Sequence, residues 1–208
     1  MPKGEKLCSR VKIQEDSRAT RQTVDGQDVI VKVVDSLEAR KEIDGLQRLA
    51  DTGIAPQLLD VCDIGNEKTA IIMEYIEGRT LERYDISTLA ETVLLLMSIV
   101  HSLVTMSYKG IIYPDIHNEN IMVDSSGRAY FIDFGSCNYM APQMAQKVTD
   151  SKGPMIVYDR LIPTLNYIIQ NNRLDSNMRA TLAAIIKDLK TTKNIDNFME
   201  SLFSLIDV

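Results

Sequence analysis

A chain of 208 residues, 45% hydrophobic and 25% charged, is long enough to bury a core and amounts to one ordinary domain or two small lobes sharing a cleft. Its formal charge of -6 disfavours general nucleic-acid binding, which needs a basic surface. The three cysteines, Cys8, Cys62 and Cys137, are far apart and lack metal-ligand spacing, so neither a disulfide framework nor a zinc site is expected, and the redox reading is a reducing compartment.

The first twenty residues carry Lys3, Lys6, Arg10, Lys12 and Arg18 without an apolar run, which argues against a cleavable secretory signal. Residues 20 to 34, TRQTVDGQDVIVKVV, predict a hairpin: two β-prone runs flank Asp25 and Gly26, a pair suited to the positive φ angles of a tight turn. Lys32 falls inside the second run. Ser36 is placed to cap a helix running to about residue 51, with Ile43, Leu46 and Leu49 spaced for one apolar face and Gly53 placed to stop it; Glu42 lies within that helix. Two further strands follow in APQLLDVCDIGNEKTAIIMEYIEG, turning at Gly65 and Asn66. From residue 87 the pattern changes to long helices, at about 87 to 107, 155 to 171, 176 to 190 and 194 to 206. The most apolar stretch, 93 to 104, contains His101, is shorter than the roughly 20 residues of a spanning helix, and reads as a buried helix.

Between the first two of those helices, residues 110 to 137 read GIIYPDIHNENIMVDSSGRAYFIDFGSC and set Asp115, Asn120 and Asp133 in apolar surroundings. NIMV and AYFID read as short strands around the turn Ser125-Ser126-Gly127. Asp115 and Asn120 then lie in the loop before one strand and Asp133 at the end of the next, which brings three oxygen-bearing side chains together. A carboxylate and an amide carbonyl suit a hard cation such as Mg2+, whose shell is completed by phosphates and water. A second carboxylate, off the metal, is suited to accept a proton from a hydroxyl. Metal and phosphates would also pair polar groups that are costly to bury alone.

Asp115-x-x-x-x-Asn120 followed by Asp133-Phe134-Gly135, with Lys32 on a strand and Glu42 on the next helix, resembles the protein-kinase signature set. IIMEYIEG resembles the hinge strand that holds adenine, and YDRLIPTLNYII the helix whose aspartate braces the catalytic loop; the resemblance spans about residues 11 to 170. It implies an α+β, two-lobed protein-kinase-like fold. A small antiparallel-sheet N-lobe would occupy residues 1 to 78 and a reduced helical C-lobe residues 79 to 208, together one kinase domain. It also implies ATP and Mg2+. Lys32 would hold the α- and β-phosphates and pair with Glu42, Asn120 and Asp133 would bind the metal, and Asp115 would accept the proton of the substrate hydroxyl. Met73 would back the adenine pocket, the backbone of Glu74 and Ile76 would bond adenine, and Asp159 would brace the loop. Glu38, one turn before Glu42, is the rival partner for Lys32; the register after Glu42 favours Glu42.

The departures from the pattern matter equally. QEDSRATRQ, residues 14 to 22, stands where the family carries three glycines over the nucleotide. Ser17, Arg18, Thr20 and Arg21 would have to hold phosphates by hydroxyl and guanidinium contacts, or else form a solvated turn. Tyr113-Pro114 replaces His-Arg before the aspartate, and the segment after Gly135 is short, so control by loop phosphorylation is not expected. His117 stands where protein Ser/Thr kinases have lysine, whereas D-x-H-x-x-N is typical of aminoglycoside and choline phosphotransferases; it could hydrogen-bond a transferring phosphoryl group or serve only in packing.

Among small kinases the chain resembles the bacterial effector kinases injected by type III secretion, the OspG, NleH and HopBF group, and secondarily the minimal kinase of the tRNA-modifying KEOPS complex. The effector resemblance implies a serine/threonine-protein kinase and virulence factor acting as a monomer on a host protein, with the Hsp90 chaperone as candidate. The acidic balance and the short apolar run leave no nucleic-acid partner and no membrane span expected, and the resemblance implies a location that is cytoplasmic or, without a cleavable signal, the cytosol of a host cell. Two other classes stay open: a small-molecule phosphotransferase, and a pseudokinase binding module, the latter suggested by the missing glycines and Pro114.

Overall fold

The computed structural model describes residues 7 to 14 and 19 to 206. The expected hairpin is formed by β1 (Ala19–Val24) and β2 (Gln27–Asp35), turning on Asp25 (φ 53°) and Gly26 (φ 80°). β3 (Leu58–Gly65) and β4 (Lys68–Glu74) form a second hairpin, and the four strands make one antiparallel sheet in the order β1-β2-β4-β3. Side chains alternate across a strand, so Val29, Val31 and Val33 face a small outer cluster with Val24, Cys62, Ala70 and Ile72, while Ile30 and Lys32 point to the opposite face. That face meets α1 (Ser36–Arg48), whose buried residues Ala39, Glu42, Gly45 and Leu46 recur at helical spacing. Ser36 is not the cap that its position suggests. Asp35 occupies the N-cap without a side-chain bond, and the Ser36 hydroxyl instead lies 2.9 Å from Thr69 Oγ1 on β4.

The C-terminal part is helical around short strands. β5 (Gly78–Thr80) pairs with β7 (Ile121–Asp124), which pairs with β8 (Ala129–Phe131), and β6 (Ile111–Ile112) pairs with β9 (Asn138–Tyr139). Among the described residues five helices follow the four-stranded sheet: α2 (Leu89–Tyr108), α3 (Pro142–Lys152), α4 (Tyr158–Gln170), α5 (Ser176–Thr192) and α6 (Ile195–Phe203). A capping box starts α2, with Glu91 N–H donating to Thr88 Oγ1 at 3.1 Å and Thr88 N–H to Glu91 Oε2 at 3.1 Å. At 20 residues α2 is longer than its apolar run and is long and apolar enough to cross a membrane. Its buried residues, among them Val93, Leu96, Ile99, Val100 and Leu103, instead form the centre of a core shared with β8, α3, α4 and α6.

Two expectations are overturned here. Cys8 and Cys62 form a disulfide that ties a single 3-10 turn (Leu7–Ser9) to β3 across the outer face of the sheet, which removes the argument for a reducing compartment. The second is α3, in the short segment after Gly135 where the sequence pattern predicts no helix. Pro142 opens this helix, where its missing N–H costs nothing, and Gly153 closes it at φ 82°. A buried Ser107 hydroxyl, 2.8 Å from Thr149 Oγ1, fastens α3 to α2.

Candidate active site

A cavity of about 660 Å³ separates the sheet from the helical part. β2 delivers Lys32 into it, and α1 presents Glu42 from the side. Lys32 Nζ lies 3.1 Å from Glu42 Oε2 and 3.0 Å from Asp133 Oδ1, so one ammonium bridges a residue of α1 and a residue beyond β8. Glu38, the rival partner, lines the same cavity but makes no ion pair with Lys32. Glu42 is almost wholly buried, and its Oε2 also accepts the Phe134 N–H at 2.7 Å.

These contacts set the ionisation of the pair. Burial alone would lower the Lys32 pKa, but the Glu42 and Asp133 carboxylates outweigh it and raise the value, so the ammonium stays charged. Glu42 also moves up, because its deeper burial and the nearby Asp133 charge outweigh the attraction of Lys32. Asp133 itself has φ 65°, a left-handed conformation that costs a non-glycine residue about 1–3 kcal/mol and persists only when neighbours hold it. Lys32 on its carboxylate and Ile132 N–H on Asn120 O, at 3.0 Å, do so.

The loop from Tyr113 to Asn120 is organised by side chains. Asn120 Nδ2 donates to Asp115 O at 3.2 Å and to Asp115 Oδ2 at 3.1 Å, which turns the Asn120 Oδ1 away from Asp115. His117 Nδ1 accepts the Glu119 N–H at 3.3 Å, and His117 Nε2 lies 3.5 Å from Asp115 Oδ2. Asp115 Oδ2 is therefore occupied on two sides, while Oδ1 has no protein partner among the described residues. Asp115 is exposed, as a residue meeting a substrate must be.

Bracing of this loop comes from Tyr113 rather than Asp159. The Tyr113 hydroxyl donates to Ile132 O, and its ring packs edge-on against Phe131 and Phe134, with centroids 5.3 and 5.5 Å away. Burial pushes the phenol well above its usual range, so it remains a donor. Asp159 sits exposed in the first turn of α4 and makes no hydrogen bond to the loop among the described residues.

Met73, Glu74 and Ile76 line the cavity as expected, with Ala19 and Ile30 above and Met122 and Ile132 below. Ser17 and Arg18 lie outside the described residues. Arg21 does not reach toward the phosphate end: its guanidinium pairs with Asp28, lies 4.0 Å over the Tyr75 ring, and donates to Tyr75 Oη at 3.1 Å. Thr20 Oγ1 is taken by Gln22 Nε2 at 3.2 Å. The remaining thiol, Cys137, is buried and pushed up to about 12 by desolvation, so it is no nucleophile.

Two site residues escaped sequence reasoning. Gly45 of α1 passes so close to Phe134 that an added Cβ would lie 2.7 Å from its Cβ and Cγ. Arg48, one turn further along, reaches the backbone of residues 109 and 140. A glycine in mid-helix was the available signal for a close approach.

An antiparallel sheet with one helix above a helical part, and between them a lysine bridging a helix carboxylate and the aspartate of an Asp-Phe-Gly turn, define a protein-kinase-like fold. Residues 17–168, most of the chain, match the family model of the protein kinase domain, and the chain belongs to that family. No curated protein matches the chain.

Proposed function

We propose that the chain is an active protein kinase, transferring the γ-phosphoryl group of ATP to a serine or threonine hydroxyl of a protein. The observation that carries this reading is the assembled triad, with Lys32 Nζ 3.1 Å from Glu42 and 3.0 Å from Asp133 while Phe134 N–H closes on Glu42. A binding module derived from a kinase would not need to keep a charged lysine, a strained aspartate and the Asn120 amide converging on one cavity.

Mg2+ fits the donors present. Asp133 offers a half-exposed carboxylate and Asn120 an amide oxygen turned from Asp115, a set of one carboxylate and one amide that leaves positions for phosphates and water. When bound, the ion would neutralise charge on the β- and γ-phosphates. Lys32 supplies a fixed positive charge for the α- and β-phosphates. Adenine fits between Ile30 and Met122, where the Ile76 N–H has no partner among the described residues. Asp115 Oδ1 faces the acceptor: the substrate oxygen bonds to the γ-phosphorus, the bond to the bridging β–γ oxygen breaks, ADP leaves, and the hydroxyl proton passes to Asp115.

His117 beside Asp115 favours a second reading, a phosphotransferase acting on an aminoglycoside or choline-like alcohol. The test is radiolabelled ATP with the purified chain, offered a eukaryotic lysate in one arm and aminoglycosides or choline in the other, with Asp133→Ala as control. Labelled protein supports the first reading; labelled small alcohol without labelled protein overturns it in favour of the second. The proposed setting, a monomeric effector in a host cytosol with Hsp90 as first substrate to try, rests on the resemblance to the type III secreted kinases.

A further inference from the structure

We infer that Arg48 is a positioning residue that clamps α1 onto the segment after Phe134 and so holds Glu42 on Lys32 without any phosphorylated residue; this rests on the kinase reading above. Arg48 Nη1 donates to Met140 O at 2.7 Å and to Lys109 O at 3.0 Å, two carbonyls belonging to the chain on either side of the β6–β9 pair. Its Nε and Nη2 grip Asp44 at 2.8 and 3.1 Å, one turn back on α1, which fixes the guanidinium plane. The same plane lies 5.0 Å from the Tyr139 ring, and the Tyr139 hydroxyl donates to Lys41 O at 2.6 Å.

Residues 41, 44, 45 and 48 of α1 thus form one stripe, at helical spacing, that faces residues 134 to 140. The backbone on both sides is shaped for this contact. Gly45 has no Cβ where Phe134 and Tyr139 press in, and Gly110, at φ 75°, has none where Met140 O and Arg48 Nη1 approach. Glu42 rides on the same rigid helix, two turns from Arg48. A helix cannot lift its stripe from residues 134 to 140 and keep Glu42 Oε2 within reach of both Lys32 and the Phe134 N–H. All the groups are uncharged or paired within the chain, so no phosphate is needed to close the clamp.

The Phe134 amide reports the clamp directly, because it donates to Glu42. Site-resolved amide hydrogen exchange on the purified full chain compares wild type with Arg48→Ala. Exchange at Phe134 is expected to quicken by about tenfold or more while Ile72, in the centre of the sheet, keeps its protection. Unchanged exchange at Phe134, or equal acceleration at both amides, would overturn the inference. If Arg48→Ala does not fold, Tyr139→Phe removes the hydroxyl that reaches Lys41 O at 2.6 Å and Phe134 O at 3.4 Å, two contacts of the same clamp; the same local quickening supports the clamp and its absence counts against it. In the activity arm, kcat of Arg48→Ala is expected to fall about 10–100-fold. Combining it with Glu42→Gln should add little further loss, since both act through one contact; full additivity would overturn the inference. A wild-type chain that transfers no phosphate would fail the kinase reading, while the exchange arm still decides the clamp.

Discussion

Gly45→Ala separates stability from activity at this site. The substitution would gain about 1 kcal/mol of helix propensity. Its new methyl, however, would stand 2.7 Å from Phe134 Cβ and Cγ and 2.7 Å from the Tyr139 hydroxyl, against ordinary carbon contacts of about 3.5–4.0 Å. α1 and Phe134 must part by roughly 1 Å, and overpacking of that kind costs about 1–3 kcal/mol. The two effects partly cancel, so Tm should change by no more than a few degrees. Activity has no such compensation. A 1 Å displacement carries Glu42 away from Lys32, and misplacement on that scale costs on the order of 100-fold in rate. Steady-state kcat with Mg2+-ATP, measured beside a thermal melt, decides it. Wild-type kcat in a folded Gly45→Ala protein would show that the contact of α1 with Phe134 does not govern the lysine–glutamate pair.

Asp115→Ala should depress transfer by about 100-fold or more while leaving nucleotide affinity within a fewfold, as measured by calorimetric titration with Mg2+-ATP, because Asp115 lies outside the residues lining the cavity. Tyr113→Phe leaves the Ile132 carbonyl without its donor and should destabilise the fold by about 1–3 kcal/mol in urea unfolding, with a drop in kcat. On acidification, Glu42 should take up its proton above the ordinary glutamate value of 4.5, because its folded-state pKa is raised. Its contribution to stability is fully present below the unfolded value and is lost as pH rises through the folded one, so kcat should fall on the acid side above pH 4.5 without a matching fall in Tm from this group. Asp28 and Asp124, held below the ordinary 3.8, withdraw their support only at lower pH, and an acid limb that coincides with unfolding would contradict the assignment.

What could be read from the chain alone were local rules that tertiary structure did not override. Asp25-Gly26 fixes a hairpin, the period of two puts Lys32 opposite Val31 and Val33, and the spacing of Asp115, Asn120 and Asp133 survives because a loop and two short strands carry it. The disulfide was invisible because Cys8 and Cys62 are 54 residues apart and meet only when the turn at residue 7 folds across β3. α3 was missed because only Ala145 and Thr149 of it are buried, too few for an apolar period, although Pro142 and Gly153 mark its ends. Asp159 and Arg21 were misplaced by carrying a family role onto positions whose neighbours differ: Tyr113 takes over the bracing, and Tyr75 with Asp28 captures the guanidinium. Gly45 and Arg48 depend on which segment α1 faces, and that is a property of the packed fold.

The most direct test of the central claim is turnover of Mg2+-ATP by the purified chain, with the Asp133→Ala variant measured in parallel. Phosphoryl transfer by the wild type that disappears in the folded variant is the result the geometry requires. Transfer that persists undiminished without Asp133, or a wild type that binds Mg2+-ATP and transfers nothing, would contradict it.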